Sequence, residues 1–470
     1  MSDYENLRRQ LSEHGQEHLL RWWPDLDENQ RANLLSQIAS LDLGLVQHLW
    51  NQAVSGSVRK SVKQEAMEPA PVRRRAESFE EWEREQQEAE VGEVALRAGQ
   101  VAVLLVAGGQ GTRLGHPGPK GTYPIGPITQ RTLFQIHAEK VLALTRRYEA
   151  PIPLCIMTSP ENDTATRQFF QTHAWFGLDP GQVHFFVQGT MPAVNATTGK
   201  LLLVEKHSLA LSPNGHGGVV EALARSGLLT RLEQQGVRHL FYFQVDNPLV
   251  KVADPVFLGQ HIEARAEMSL KVLPKLGPEE RLGVVVRQGG QLRVIEYSDL
   301  PSELACKRSP DGSLELWAGS IAIHVFDLAF LKRLAETSAL PYHVARKVVT
   351  YVDDSGLIVR PEQPNAIKFE RFVFDALPLA RKAIIVETDR RQEFEPLKNA
   401  EGENSPTTVR QALSDLYAEW LISAGVQVPR KSNGSSVYPI EISPLFALDA
   451  EELRAKVDNL EEVAGPLVLA

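Results

Sequence analysis

Val101-Ala102-Val103-Leu104-Leu105-Val106-Ala107-Gly108-Gly109-Gln110-Gly111-Thr112-Arg113-Leu114-Gly115, followed by Pro119-Lys120-Gly121, is the stretch on which the fold turns. Its first six residues are continuously apolar and too few for an ordinary helix, so they read as a buried strand. The glycines that follow let the backbone take positive φ and approach a ligand closely. Successive free N–H groups in such a loop form an anion nest. At the carboxyl end of a parallel strand, that is where an α/β fold binds nucleotides. Two better-known loops fail on spacing. A dinucleotide fingerprint needs Gly-x-Gly-x-x-Gly, whereas Gly109, Gly111 and Gly115 are spread one residue wider. A P-loop needs Gly-Lys followed by Ser or Thr, whereas Lys120 lies between Pro119 and Gly121. What remains is a loop carrying Arg113, which can fork to two phosphate oxygens, and Lys120, which can place a point charge on another. That equipment suits nucleotidyl transfer, where the attacked α-phosphate gains charge and pyrophosphate leaves with more.

Outward from this loop, strands and helices alternate. Leu133, Ile136, Val141 and Leu144 form a helical stripe over Thr132–Tyr148, and Asp163–Thr172 reads as a second helix. Ile152–Met157, Val183–Val187 and Phe241–Val245 are strand candidates. The alternation predicts a mostly parallel sheet with crossover helices. Gly283–Arg287 and Gln291–Tyr297 flank Gln288-Gly289-Gly290, a hairpin signal. Ser320–Phe326 and Ala383–Glu387 are further strands, Thr408–Ala424 is a helix, and Asp449 with Glu452 opens a last one. Residues 1–95 read as a helical scaffold. Ser2 with Glu5 and Ser78 with Glu81 match the Ser-x-x-Glu capping pattern, and Pro69-Ala70-Pro71 reads as a break between helices. The expected division is a helical region 1–95, a catalytic domain 96–390 and a small C-terminal domain 391–470.

The 470 residues carry a net charge of −9, a poor match to a polyanion, so nucleic acid is not an expected partner. The apolar run Val101–Ala107 falls far short of the ~20 residues of a membrane span, and the first residues lack the apolar core of a signal peptide. Cys155 and Cys306 are the two cysteines, too few for a disulfide framework. A cytoplasmic protein without a membrane partner is the expectation.

Three more places invite chemistry. Asp246 ends the strand Phe241–Val245, where a carboxylate can bind Mg²⁺ or cap a helix. Gln188 follows the strand Val183–Val187, and its amide offers a donor and an acceptor together. Asn214-Gly215-His216-Gly217-Gly218 precedes the short helix Val219–Ser226, and a helix start flanked by glycines invites an anion or a hydroxyl-rich ligand. Lys398 alone would read as a solvated loop lysine.

Read together, these segments resemble the UDP-sugar pyrophosphorylases, most nearly the eukaryotic-type UDP-N-acetylhexosamine branch. The likeness rests on the loop 107–121, Gln188-Gly189, Val245-Asp246-Asn247, Leu249–Pro255, Val294–Ser298, Phe372–Asp375, Phe394–Ala400, Thr407-Thr408 and Glu441–Leu445. It implies a Rossmann-like α/β nucleotidyltransferase fold of the GT-A kind, a mixed sheet flanked by helices. It also implies an enzyme that converts UTP and a sugar 1-phosphate, foremost N-acetylglucosamine 1-phosphate, into UDP-sugar and pyrophosphate. By resemblance Arg113, Lys120 and Lys398 are catalytic. Ala107, Gly108, Gly109, Gly111, Thr112, Gln188, Gly215 and Asp246 meet the nucleotide. His216, Gly217, Glu296, Gly319 and Ser320 meet the sugar, and Asp246 holds Mg²⁺ (or Mn²⁺). A monomer or weak homo-oligomer is expected. The N-acetylhexosamine branch has Asn where His216 and Ser320 stand, and Gly-His-Gly resembles the UDP-glucose and broad UDP-sugar enzymes. Glucose or galactose 1-phosphate is therefore the alternative substrate, and a non-catalytic UDP-sugar sensor the remote one.

Overall fold

The computed structural model describes residues 3–55 and 66–470; Ser2, and with it the expected cap at Glu5, lies outside them. The chain forms two compact units, each assembled from separated segments. The larger comprises Met67–Val187, Val220–Ser338 and Ala376–Ala470.

An eleven-stranded sheet organises the larger unit. In chain order its strands are β1 (Met67–Pro69), β2 (Val72–Arg73), β3 (Val101–Val106), β4 (Leu154–Thr158), β5 (Val183–Val187) and β6 (His239–Gln244). They continue with β7 (Met268–Pro274), β8 (Val284–Gln288), β9 (Gln291–Ile295), β10 (Ala318–Asp327) and β11 (Ala383–Glu387). Along the sheet the order is β2-β11-β7-β10-β6-β3-β4-β5, with β8 joining β10 to the short strands β1 and β9. Strands β6, β3, β4 and β5 run parallel, as do β2, β11 and β7; β10 lies antiparallel between β6 and β7. The sheet is thus mixed. Strand β3 is buried almost throughout, which is why it reads as an unbroken apolar run.

The expected break at Pro69-Ala70-Pro71 is instead where β1 and β2 join the sheet. Pro69 pairs with Val286 in a short strand at the sheet's margin, where the missing proline N–H costs no central ladder bond. Ser78 and Glu81 form the expected capping box on α1 (Phe79–Arg97), which runs seven residues beyond the Glu-rich stretch ending at Glu90. The hairpin β8–β9 turns at Gly289 and Gly290, with φ of 57° and 78°, the two positive values a type I′ turn requires. Helix α2 (Leu133–Tyr148) is capped by Thr132, and α3 (Asp163–Thr172) has the expected bounds.

Helix α4 (Pro255–Glu263) crosses α1 at two glycines. A methyl group at Gly92 would sit 2.0 Å from the Pro255 carbonyl oxygen, and one at Gly259 would sit 1.7 Å from that of Glu88. Backbone carbonyls cannot rotate away as a side chain can. Gly259→Val is therefore expected to destabilise the fold by about 3 kcal/mol, at the upper end of overpacking costs. A urea midpoint equal to that of wild type would show that the helices part easily.

The smaller unit, Met1–Ala66 with Gln188–Val219 and Ala339–Asp375, is built around helices Asp3–Glu13, Glu28–Ala39 and Leu43–Ser55. Their buried faces (Leu11, Leu34, Ile38) pack on a three-stranded sheet through Val194, Ile367 and Phe369. Gln16 clips this packing: its amide donates to the Gly199 carbonyl and accepts from the Leu201 N–H.

Candidate active site

The glycine-rich loop leaves β3 and doubles back on itself. Gly111 N–H donates to the Gly118 carbonyl at 2.8 Å, and Lys120 N–H donates to the Gly109 carbonyl at 3.0 Å. Gly115 and Gly118 take φ of 66° and 114°, positions that favour glycine. At Gly121 a side chain would strike the Phe134 ring at 2.2 Å, which presses the end of the loop onto α2. Ala107 is buried, Gly108 partly so, and Gly109, Thr112 and Arg113 are exposed. Arg113 stands in the one-turn helix Thr112–Leu114, paired with no carboxylate among the described residues.

Lys120, at the far end of the loop, reaches the carboxyl end of β6. Its Nζ lies 3.5 Å from Asp246 Oδ2 and donates to the Leu397 carbonyl at 3.4 Å. Lys398 comes to the same oxygen at 2.9 Å. The structure therefore gathers Lys120, Asp246 and Lys398 beside the glycine loop, although they are far apart in sequence. Asp246 is buried, and burial alone would raise its carboxyl. The ammonium groups of Lys398 and then Lys120 outweigh that, holding it below the ordinary carboxylate range. Asp246 does not cap a helix; the helix that follows is capped by Asp254.

Sequence reasoning missed the residues that hold this cluster in place. His137 and Lys140, one turn apart on α2, both donate to the backbone around Asp246. His137 Nε2 meets the Val245 carbonyl at 3.0 Å, and burial pushes its pKa down to about 3, so it stays neutral. Lys140 Nζ meets the Pro248 and Val250 carbonyls at 2.6 and 2.7 Å. Leu397 N–H donates to the Asp246 carbonyl at 2.7 Å, and the Asn247 amide donates to the Glu393 carbonyl at 2.7 Å, which fixes the segment carrying Lys398. Asn162 is fully buried and donates to the Ala107 carbonyl at 2.9 Å, steadying the loop where it leaves β3. Glu441 also anchors rather than reacts. It accepts from the Ile128 and Thr129 N–H groups at 2.7 Å and from Arg131 at 2.8 Å, tying the C-terminal segment to the loop before α2.

Glu296, Gly319 and Ser320 lie together where β9, β8 and β10 meet. Val284 of β8 pairs with Ile295 on one side and with Gly319 on the other, and Ser320 N–H donates to the Gly283 carbonyl at 2.8 Å.

In the smaller unit, Gln188, Gly215, His216 and Gly217 form their own cluster. The Gln188 amide nitrogen donates to the Gly215 carbonyl at 2.5 Å, so part of its donor capacity is already in use. Gly215 has φ of 83°, and a side chain there would meet the Arg371 carbonyl at 2.3 Å. Gly217 N–H donates to that carbonyl at 2.8 Å. The His216 ring stacks on Phe372, with centroids 5.2 Å apart, and also faces Phe374. Its Nδ1 accepts from the Val373 N–H at 3.2 Å, so that nitrogen carries no proton.

A divalent cation has one carboxylate to bind in the larger unit's cluster. No group of three or more His, Cys, Asp or Glu side chains suited to a metal occurs among the described residues. Asp246 fits Mg²⁺ chemistry in which one carboxylate anchors the ion and substrate phosphates and water complete its shell. Among the described residues no helix is long and apolar enough to cross a membrane.

Comparisons with known proteins agree with this geometry. The sequence profile of the UTP–glucose-1-phosphate uridylyltransferase family matches residues 45–432. UDP-N-acetylhexosamine pyrophosphorylase-like protein 1 of Xenopus tropicalis is 37% identical, covering 99% of this chain and 96% of that protein. The UDP-N-acetylglucosamine pyrophosphorylase of Saccharomyces cerevisiae is 37% identical over 88% of this chain and 91% of its own. The solved structure of the Trypanosoma brucei UDP-N-acetylglucosamine pyrophosphorylase, in complex with inhibitor, superposes with a TM-score of 0.83 at 29% identity, covering 100% and 98% of the two chains. The profile spans most of the chain and the identities hold over nearly its full length, so the chain belongs to the UTP–glucose-1-phosphate uridylyltransferase family, the UDP-sugar pyrophosphorylases, and is a nucleotidyltransferase.

Proposed function

We propose that the protein makes UDP-N-acetylglucosamine and pyrophosphate from UTP and N-acetylglucosamine 1-phosphate. The observation that carries the reading is the pair of ammonium groups on Asp246 beside the glycine loop at the carboxyl end of β6. The sugar 1-phosphate oxygen attacks the α-phosphorus of UTP in line, a new P–O bond forms, and the bond to the bridging oxygen of pyrophosphate breaks. The attacking oxygen is already an anion, so no general base is required. Catalysis comes from position and charge. Before substrate arrives, Asp246 holds Lys120 and Lys398 where triphosphate oxygens can take them over. Exposed Arg113 supplies a fork for the phosphates. The backbone at Ala107, Gly108, Gly109, Gly111 and Thr112, with Gln188 and Gly215, is assigned to the nucleotide. His216, Gly217, Glu296, Gly319 and Ser320 are assigned to the sugar. Mg²⁺ (or Mn²⁺) at Asp246 would neutralise phosphate charge. A cytoplasmic location and a monomeric or weakly associated state belong to the same proposal.

The relatives' names favour the acetylated sugar; His216 and Ser320 favour glucose or galactose 1-phosphate as the second reading, because Gly-His-Gly resembles the UDP-glucose and broad UDP-sugar enzymes and both residues replace Asn of the N-acetylhexosamine branch. Pyrophosphate release measured over a panel of sugar 1-phosphates separates the two. N-acetylglucosamine 1-phosphate is expected to exceed glucose 1-phosphate in kcat/KM by at least about tenfold, the size of a pocket-filling preference. Turnover of only the non-acetylated sugars would overturn the assignment while leaving the uridylyltransferase intact.

A further inference from the structure

Lys275 follows β7 directly, and its ammonium pairs with no carboxylate among the described residues. It is 8% exposed, its Nζ has one hydrogen bond, to the Pro278 carbonyl at 3.3 Å, and no carboxylate lies within ion-pair distance among the described residues. An ammonium has three donors, and a buried charge without a counter-charge is costly. Burial lowers the Lys275 pKa against the pull of Glu280 and Glu279, which stand near but not in contact. Glu280 itself is engaged by Arg390 at 2.8 Å.

The side chain lines a cavity of about 470 Å³ whose walls include Arg74, Arg308, Ser309, Ser313 and Trp317. The charges around it are unequal in availability. Glu315 is paired with Lys307 at 2.9 Å, and Asp311 is occupied by the Ser313 N–H and hydroxyl. Arg74 pairs with Glu387 at 2.6 Å and lies over the Trp317 ring at 4.4 Å. Arg308 donates to the Gly312 carbonyl at 2.6 Å and has no carboxylate partner among the described residues. Lys275 and Arg308, neither of them ion-paired among the described residues, thus line one cavity together with Ser309 and Ser313. None of its walls comes from the 107–121 loop, Asp246 or Lys398.

We propose that this cavity is a second anion site, separate from the phosphate cluster at Asp246, which takes a small phosphorylated molecule through Lys275 and Arg308. The phosphate oxygens accept from the Lys275 ammonium and the Arg308 fork, with the Ser309 hydroxyl as a further donor. A cavity of this volume has room for a phosphorylated sugar as well as for phosphate alone.

The test is a calorimetric titration of the full chain with inorganic phosphate in a Lys120→Met, Asp246→Asn, Lys398→Met background, which removes both ammonium groups of the other cluster together with the buried carboxylate they neutralise. One saturable site is expected to remain. Adding Lys275→Met should weaken it at least tenfold, and Arg308→Ala should weaken it measurably. Arg308 forms no ion pair among the described residues and donates to a backbone carbonyl, so its removal leaves the fold as a reference if Lys275→Met proves unstable. Loss of all phosphate binding in the background protein, or binding indifferent to both Lys275 and Arg308, would overturn the proposal. Failure here leaves the uridylyltransferase reading untouched, because that reading is tested by pyrophosphate release and not by phosphate binding.

Discussion

Lys120→Met lowers kcat for UDP-sugar formation by about two to three orders of magnitude, the cost of removing one preorganised charge from a site where charge develops, while KM moves far less. The reason lies in what stays behind. Lys120 is one of two cations on Asp246; after its loss Lys398 remains at 2.9 Å, so the buried carboxylate keeps a counter-charge and the fold survives. Melting temperature should fall by a few degrees at most. The loss belongs to the transition state, because the α-phosphate and the departing pyrophosphate carry more charge there than UTP does in the ground state. Arg113→Ala offers the matched case. Arg113 is exposed and pairs with no carboxylate among the described residues, so its removal should change stability by no more than about 0.5 kcal/mol. Any large fall in turnover would then report phosphate contact alone. Near-normal turnover in both variants would remove the loop from the chemistry.

Those two residues show what the sequence could and could not tell. The loop was legible because its parts are consecutive: an apolar strand, glycines, an arginine and a lysine in one short stretch. Strand β3 and hairpin β8–β9 were legible for the same reason, since an unbroken apolar run and a Gly-Gly turn are local signals. Asp246 could be placed at a strand end, but not between two lysines, because Lys398 approaches from a segment some 150 positions on. Lys398 alone looks like any solvated lysine. The supporting residues are less legible still. His137, Lys140, Asn162 and Asn247 act on backbone carbonyls, and a carbonyl leaves no trace in side-chain identity. His137 and Lys140 share the spacing of the α2 stripe, so periodicity reads them as the edge of a helix face. Strands β1 and β2 went unread because two or three residues are too short for a period, and proline argued against them.

A second large effect is expected away from the phosphates, at Lys271. Lys271 is 2% exposed, and its ammonium lies 2.6 Å from Asp254 Oδ2 and 2.5 Å from Glu393 Oε1, with Thr388 also donating to that Glu393 oxygen at 2.9 Å. Lys271→Met fills similar volume but strands two carboxylates in the interior. Breaking a buried ion pair from one side costs about 3–5 kcal/mol, so the variant should unfold at a much lower urea concentration at neutral pH. The pH dependence identifies the cause. In the wild type, burial opposes ionisation of Asp254, but Lys271 and then Lys251 outweigh it, and its folded pKa is depressed. That contribution is present above the unfolded carboxylate value near 4 and is lost as acid approaches the lower folded value. In the variant the sign reverses. Without Lys271, burial raises the Asp254 carboxyl, so stability is greatest below about pH 4 and drains away as pH rises through the raised value. The gap between variant and wild type should therefore narrow from pH 7.5 to pH 5; an equal gap at both would mean that lost packing, not stranded charge, is responsible. The damage should also reach the active site. The Glu393 carbonyl takes the Asn247 amide, and the chain from Glu393 to Lys398 is what delivers the second ammonium to Asp246. Loosening it lowers turnover in protein that is still folded, and Lys271→Arg, which restores the charge, should recover much of both losses.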